Sequence, residues 1–249
     1  MGHTPVELLR KRLDELDIPD PPTSDGPSDR RLQHLVVVMG SFTDARMEAE
    51  CIGPAVVSPD VADAWVGGSE LLQSIASDEP YLVDGPVQLG MQEWIATGRH
   101  GPAVPTDVHS RAFYTSTATR RGPSMWRTYL NLHYEPELFP LPWRTWRLEA
   151  DAGAAVFEVA SARDWVEFVE RYPARDAQLV KPDWASASHD YAGVHLTLGA
   201  IVAIQGFAFL TAYGPTEPQY WDVESTRWLS WRFGSPVLVE TTTAGPSGL

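Results

Sequence analysis

The chain has 249 residues, 43% hydrophobic and 21% charged, a soluble globular composition long enough to bury a core without staples. Its formal net charge of −14 disfavours duplex nucleic acid and anionic membrane as partners. The one cysteine, Cys51, excludes an internal disulfide and a cysteine-built metal site.

No apolar run reaches the ~20 residues of a membrane span. The first residues alternate charge among leucines and lack the apolar core of a secretory signal, so the expected compartment is the cytoplasm. Residues 5–17 place Val6, Leu9, Leu13 and Leu16 on one helical face. Residues 18–30 are rich in Pro, Asp, Ser and Gly and read as a flexible linker. The expected organisation is an N-terminal helix over 1–17, this linker, a single α+β domain over 31–243 and a tail over 244–249.

Within the domain, 32–40 (LQHLVVVMG) reads as a buried strand, 44–52 as a helical turn and 55–58 as a short strand. Residues 59–77 read as one or two helices interrupted at Gly67-Gly68, and 86–98 fits a strand or a helix. A loop is expected over 101–110, a strand over 111–117 and a short helix over 123–133. Two strands follow at 143–151, with arginines on one face, and 154–161. The helix over 161–173 is the clearest. Ser161 caps it, Trp165, Phe168, Val169 and Tyr172 form its apolar stripe, and Pro173 stops it. A helix over 182–191 and a strand over 192–198 come next; the latter puts His195 on its less buried face. Aromatic-rich 220–233 and β-rich 237–242 complete the pattern. Short strands with a few intervening helices and no βαβ rhythm indicate α+β with a largely antiparallel sheet.

The common nucleotide-loop, zinc-protease and serine-elbow motifs are absent, and the seven histidines show no metal spacing. Most of the ten tryptophans occupy amphipathic positions that suit a core. Two segments carry more chemistry. Residues 109–150 hold six basic and three acidic groups, the one positive stretch of the chain. In it, Tyr114-Thr115-Ser116-Thr117 ends a strand and leads to Arg120 and Arg121, hydroxyls and guanidinium forks suited to a ribose and a pyrophosphate. The second segment is Trp221-Asp222-Val223-Glu224-Ser225-Thr226-Arg227-Trp228. Asp222, Glu224 and Thr226 share one face of an expected strand, either a polar outer surface or a place where positive charge develops.

Together these motifs resemble the ADP-ribosyltransferase superfamily, over roughly residues 109–233. The family's arginine-type branch places a Ser-Thr-Ser strand ahead of a late Glu or Gln, any residue, Glu motif. Here Tyr114-Thr115-Ser116-Thr117 and Asp222-Val223-Glu224 stand in those places, about a hundred residues apart, with Asp where the family has Glu or Gln. The resemblance implies a split, largely antiparallel sheet and NAD⁺ as substrate. It implies Glu224 facing the oxocarbenium-like ribose, Ser116 orienting that glutamate and Asp222 taking the acceptor's proton. Tyr114, Trp126 or Trp228 would stack on nicotinamide. Thr115, Thr117, Arg120 and Arg121 would complete the NAD⁺ site, with Arg46 or His34 as the early-strand grip. The acceptor is a protein, a small molecule or water, and no metal is expected. The alternative is a non-enzymatic, immunity-type acidic protein that docks a basic partner. A sugar-binding protein using Trp platforms is a third reading, and it lacks an evident pair of acids on different elements.

Overall fold

A computed structural model of the chain describes residues 55–67, 91–98, 113–117, 124–176, 178–205, 207–218, 221 and 223–245. The expected N-terminal helix, linker, 32–40 strand, 44–52 turn and 101–110 loop lie outside these residues. So do His34, Arg46, Arg120, Arg121 and Asp222.

The described elements are β1 (Ala55–Val57), α1 (Pro59–Gly67), β2 (Met91–Ala96), β3 (Phe113–Thr117), α2 (Met125–Leu132), β4 (Trp143–Glu149), β5 (Val156–Val159) and α3 (Ala162–Arg171). They continue with β6 (Pro173–Asp176), β7 (Leu179–Pro182), α4 (Trp184–Ala187), β8 (Gly193–Leu196), α5 (Leu198–Ile204), β9 (Phe207–Thr211), β10 (Gly214–Thr216), β11 (Ser225–Trp228) and β12 (Val237–Thr242). The fold is α+β, dominated by sheets. A 7-stranded sheet runs β12-β4-β2-β3-β11-β8-β5, antiparallel throughout except for the parallel pair β5–β8. A 3-stranded sheet β1-β9-β10 and the hairpin β6–β7 complete it. Among the described residues no helix is long and apolar enough to cross a membrane.

Helix α3 forms as its sequence dictates. Ser161 Oγ accepts from Asp164 N–H at the first turn, and Trp165, Phe168, Val169 and Tyr172 are buried against the sheet. Its neighbour α5 is buried nearly all round, through Leu198, Ala200, Ile201, Val202, Ala203 and Ile204. These two helices cover one face of β5 and β8 and make the main core. A second cluster, built on Phe113, Leu148, Trp228 and Phe233, lies under the middle of the large sheet. Gly193 allows β8 to close on β11 there, because a Cβ would meet Arg227 O and Thr226 Cγ2 at 3.1 Å.

Three expectations need correction. The 182–191 helix is only Trp184–Ala187, capped by Asp183, before the chain turns into β8. Arg144 and Arg147 stand an odd number of residues apart on β4, so the pleat sends them to opposite faces, opposite Ala96 and Glu93 respectively. His195 is not on a less buried face: all of β8 is buried, because β11 and β5 flank it and both faces are covered.

Candidate functional site

The candidate residues meet on β3. Its register sets Thr115 opposite Thr226 and Tyr114 opposite Arg227. The pleat then groups Tyr114, Ser116, Ser225 and Arg227 on one face, and Thr115, Thr226 and His195 on the other.

Glu224 stands just ahead of β11, where the register brings it beside Ser116 and Thr117, and it is 0% exposed. Its Oε2 accepts from Ser116 Oγ and from the Thr117 backbone N–H, both at 3.1 Å. Its Oε1 accepts from Thr117 Oγ1 and lies against His195 Nε2, both at 2.7 Å. An ionised carboxylate can only accept, so His195 carries its proton on Nε2 in this pair. Burial pushes the Glu224 carboxyl up. The hydrogen bond and charge of His195, with the two Thr117 donors, outweigh burial and hold it below the usual carboxylate range. A further layer fixes the donors: Gln92 donates to Thr117 Oγ1 at 3.2 Å and accepts from Thr115 Oγ1 at 2.6 Å, and Trp228 Nε1 donates to Thr115 Oγ1 at 2.8 Å. Beyond His195, Glu158 on β5 brings Oε2 to 3.8 Å from Nδ1.

This arrangement corrects the reading of Glu224 as part of a polar outer face. The strand begins at Ser225, and the carboxylate ahead of it turns into the protein. Trp228 is likewise removed from any stacking role, since it is 0% exposed and packed edge-on against Phe233.

A pocket of about 260 Å³ opens on the other face of β3. Tyr114, Thr115 and Ser116 form its floor, and Trp126, Trp221, Val223 and Ser225 form its walls. Ser116 thus faces the pocket while bonded to the carboxylate behind it. Tyr114 and Trp221 meet edge to face at 5.6 Å. Trp221 is pinned at both ends, its Nε1 donating to Ser225 Oγ and its carbonyl accepting from Gln205 Nε2 at 2.6 Å. Opposite, Trp126 stacks on Tyr129 at 5.3 Å, and its backbone N–H points to Ser116 Oγ at 3.4 Å. Ser124 caps α2, the helix that carries Trp126, and buried Glu93 accepts from Ser124 N–H at 2.9 Å. Rigid aromatic walls around a hydroxyl-bearing floor suit a planar ring with a polar substituent.

The structure therefore brings Tyr114, Thr115, Ser116 and Trp126 to one pocket, with Thr117 and Glu224 behind its floor. Sequence reasoning missed His195 and Gln92 as members of this neighbourhood; Trp221 and Arg227 stood in the segment it singled out, Trp221 as an aromatic neighbour of Glu224 and Arg227 with no role assigned. Arg227 had a visible signal as the one Lys or Arg in the stretch from Pro182 to Trp231. Among the described residues no cluster of three His, Cys, Asp or Glu side chains forms a metal site. No family model matches the chain, and no curated protein or solved structure matches it.

Proposed function

We propose that this chain is an ADP-ribosyltransferase-like enzyme that takes NAD⁺ and breaks its nicotinamide–ribose bond. ADP-ribose passes to an acceptor nucleophile or to water. The observation that carries the reading is the hydrogen bond from pocket-lining Ser116 to Glu224, the link expected between the serine strand and the late glutamate of that superfamily.

In this reading the nicotinamide ring enters between Trp126 and the Tyr114–Trp221 pair. The volume is below the ~300–1,000 Å³ of a whole-ligand site, so it takes one end of the dinucleotide and leaves the rest over the sheet face. As the C–N bond breaks, its electrons go to the nicotinamide nitrogen and positive charge grows on the ribose beside Ser116. The carboxylate of Glu224 stands one hydroxyl behind. A unit charge about 6 Å away at an effective dielectric of about 20 contributes roughly 3 kcal/mol, enough for about two powers of ten in rate. Ser116 relays that field as an oriented dipole, and Thr117 and His195 keep the carboxylate ionised and aimed.

The full burial of Glu224 favours a second reading, in which the carboxylate only pins strands together and the acidic chain docks a basic partner. Chromatographic measurement of nicotinamide released from NAD⁺, with and without protein and small-molecule acceptors, separates the two. Release that scales with enzyme supports the first. No release under any acceptor condition removes it in favour of the second.

A further inference from the structure

Arg227 is the basic side chain on the pocket face of β11, directly opposite Tyr114. Its guanidinium lies over the Trp184 ring at 4.2 Å and over the Tyr114 ring at 5.6 Å, and its Nη1 donates to Tyr114 Oη at 2.8 Å. Among the described residues no carboxylate lies within ion-pairing distance of it, in a chain whose net charge is −14. Its Nε is buried without a hydrogen-bond partner. Arg127, Arg163 and Arg171, by contrast, each pair with an acid. An arginine held over the Trp184 ring and hydrogen-bonded to Tyr114 Oη has already lost much of its side-chain freedom before any ligand arrives. Arg227 is not itself part of the pocket lining; it adjoins the pocket through Tyr114, a lining residue that is 36% exposed.

We propose that Arg227 is the anion-binding end of the pocket, holding a phosphate attached to the ring-bearing ligand whose ring enters between Trp126 and Trp221. The identity of the phosphate rests on the NAD⁺ reading, where it is the one on the nicotinamide ribose. The presence of an anion subsite rests only on Arg227 and its neighbours. The guanidinium donors not used by Tyr114 would engage phosphate oxygens while the contacts with Tyr114 and Trp184 hold the side chain in place. Loss of a charge-assisted contact of this kind weakens binding by about 10- to 100-fold.

The test is calorimetric titration of the full chain with two matched pairs, nicotinamide mononucleotide against nicotinamide riboside and phenyl phosphate against phenol. Wild type should bind the phosphorylated member of each pair at least about 10-fold tighter than its unphosphorylated partner. Arg227→Met, which keeps an apolar stem under Trp184, should abolish that preference and leave the affinity for the unphosphorylated member within about twofold. Arg227→Lys, which keeps the charge and loses the fork, should retain only part of it, and serves as the folded control. A preference seen with phenyl phosphate and absent with the mononucleotide keeps the subsite and removes the NAD⁺ reading. No preference for either phosphate, or a preference that survives in Arg227→Met, overturns the subsite whether or not NAD⁺ is cleaved.

Discussion

Two buried glutamates flank β3, and the protein holds them in different ways. Glu93, on β2, is 1% exposed. It gives one oxygen to the Ser124 N–H at the start of α2 and the other, at 4.0 Å, to Arg127, which also reaches Glu240. Its compensation is a helix end and a cation connected to the surface. Glu224 is 0% exposed and is compensated from inside, by two hydroxyls, a backbone N–H and His195. The first arrangement anchors a helix and so places Trp126. The second puts a negative charge behind the pocket floor. On the proposed function, equal burial serves scaffold in one case and field in the other.

Substitution should separate them. Glu224→Gln keeps shape but presents an N–H where donors already converge, so the contacts of Ser116, Thr117 and His195 with the side chain are disrupted. We expect a loss of about 3–5 kcal/mol in urea unfolding. Glu93→Gln still offers an acceptor to Ser124, and Arg127 keeps Glu240, so about 1.5 kcal/mol is expected. Equal losses would erase the distinction.

The contrast also has a pH signature. The Glu224 carboxyl lies below its usual range when folded, so its contribution is complete above the unfolded value of about 4.3 and is lost as pH falls through the lower folded value. Urea midpoints measured from pH 6 down to pH 2.5 should therefore drop more steeply in wild type than in Glu224→Gln below about pH 4. Parallel curves would mean that Glu224 is not held ionised by its donors.

Much of the scaffold is written locally, and the site is written across strands. The α3 cap at Ser161 and its stripe are legible because one amphipathic helix carries its own period. Helix α5 is buried on nearly all sides, so Leu198–Ile204 shows no polar face and no period to read. The alternation of β3 revealed its strand, and the hydroxyls of Ser116 and Thr117 marked it as unusual. That Glu224 turns inward depends on the β3–β11 register, and the burial of His195 depends on parallel β5. Neither partner is near in sequence, with Thr117 and Glu224 107 residues apart. Arg227 was visible as a charge, but its stack on Trp184 was not.

Stopped-flow or fixed-time measurement of nicotinamide release by Ser116→Ala tests the central claim most directly, because among the described residues Ser116 is the pocket-lining side chain that donates to Glu224. Three of the carboxylate's donors remain, so the variant should stay folded at a cost of about 1.5–3 kcal/mol. The account predicts a fall in kcat of at least about 10-fold with KM for NAD⁺ changed little, since the hydroxyl acts on the charge that grows in the transition state. A folded Ser116→Ala protein that releases nicotinamide at the wild-type rate would contradict it.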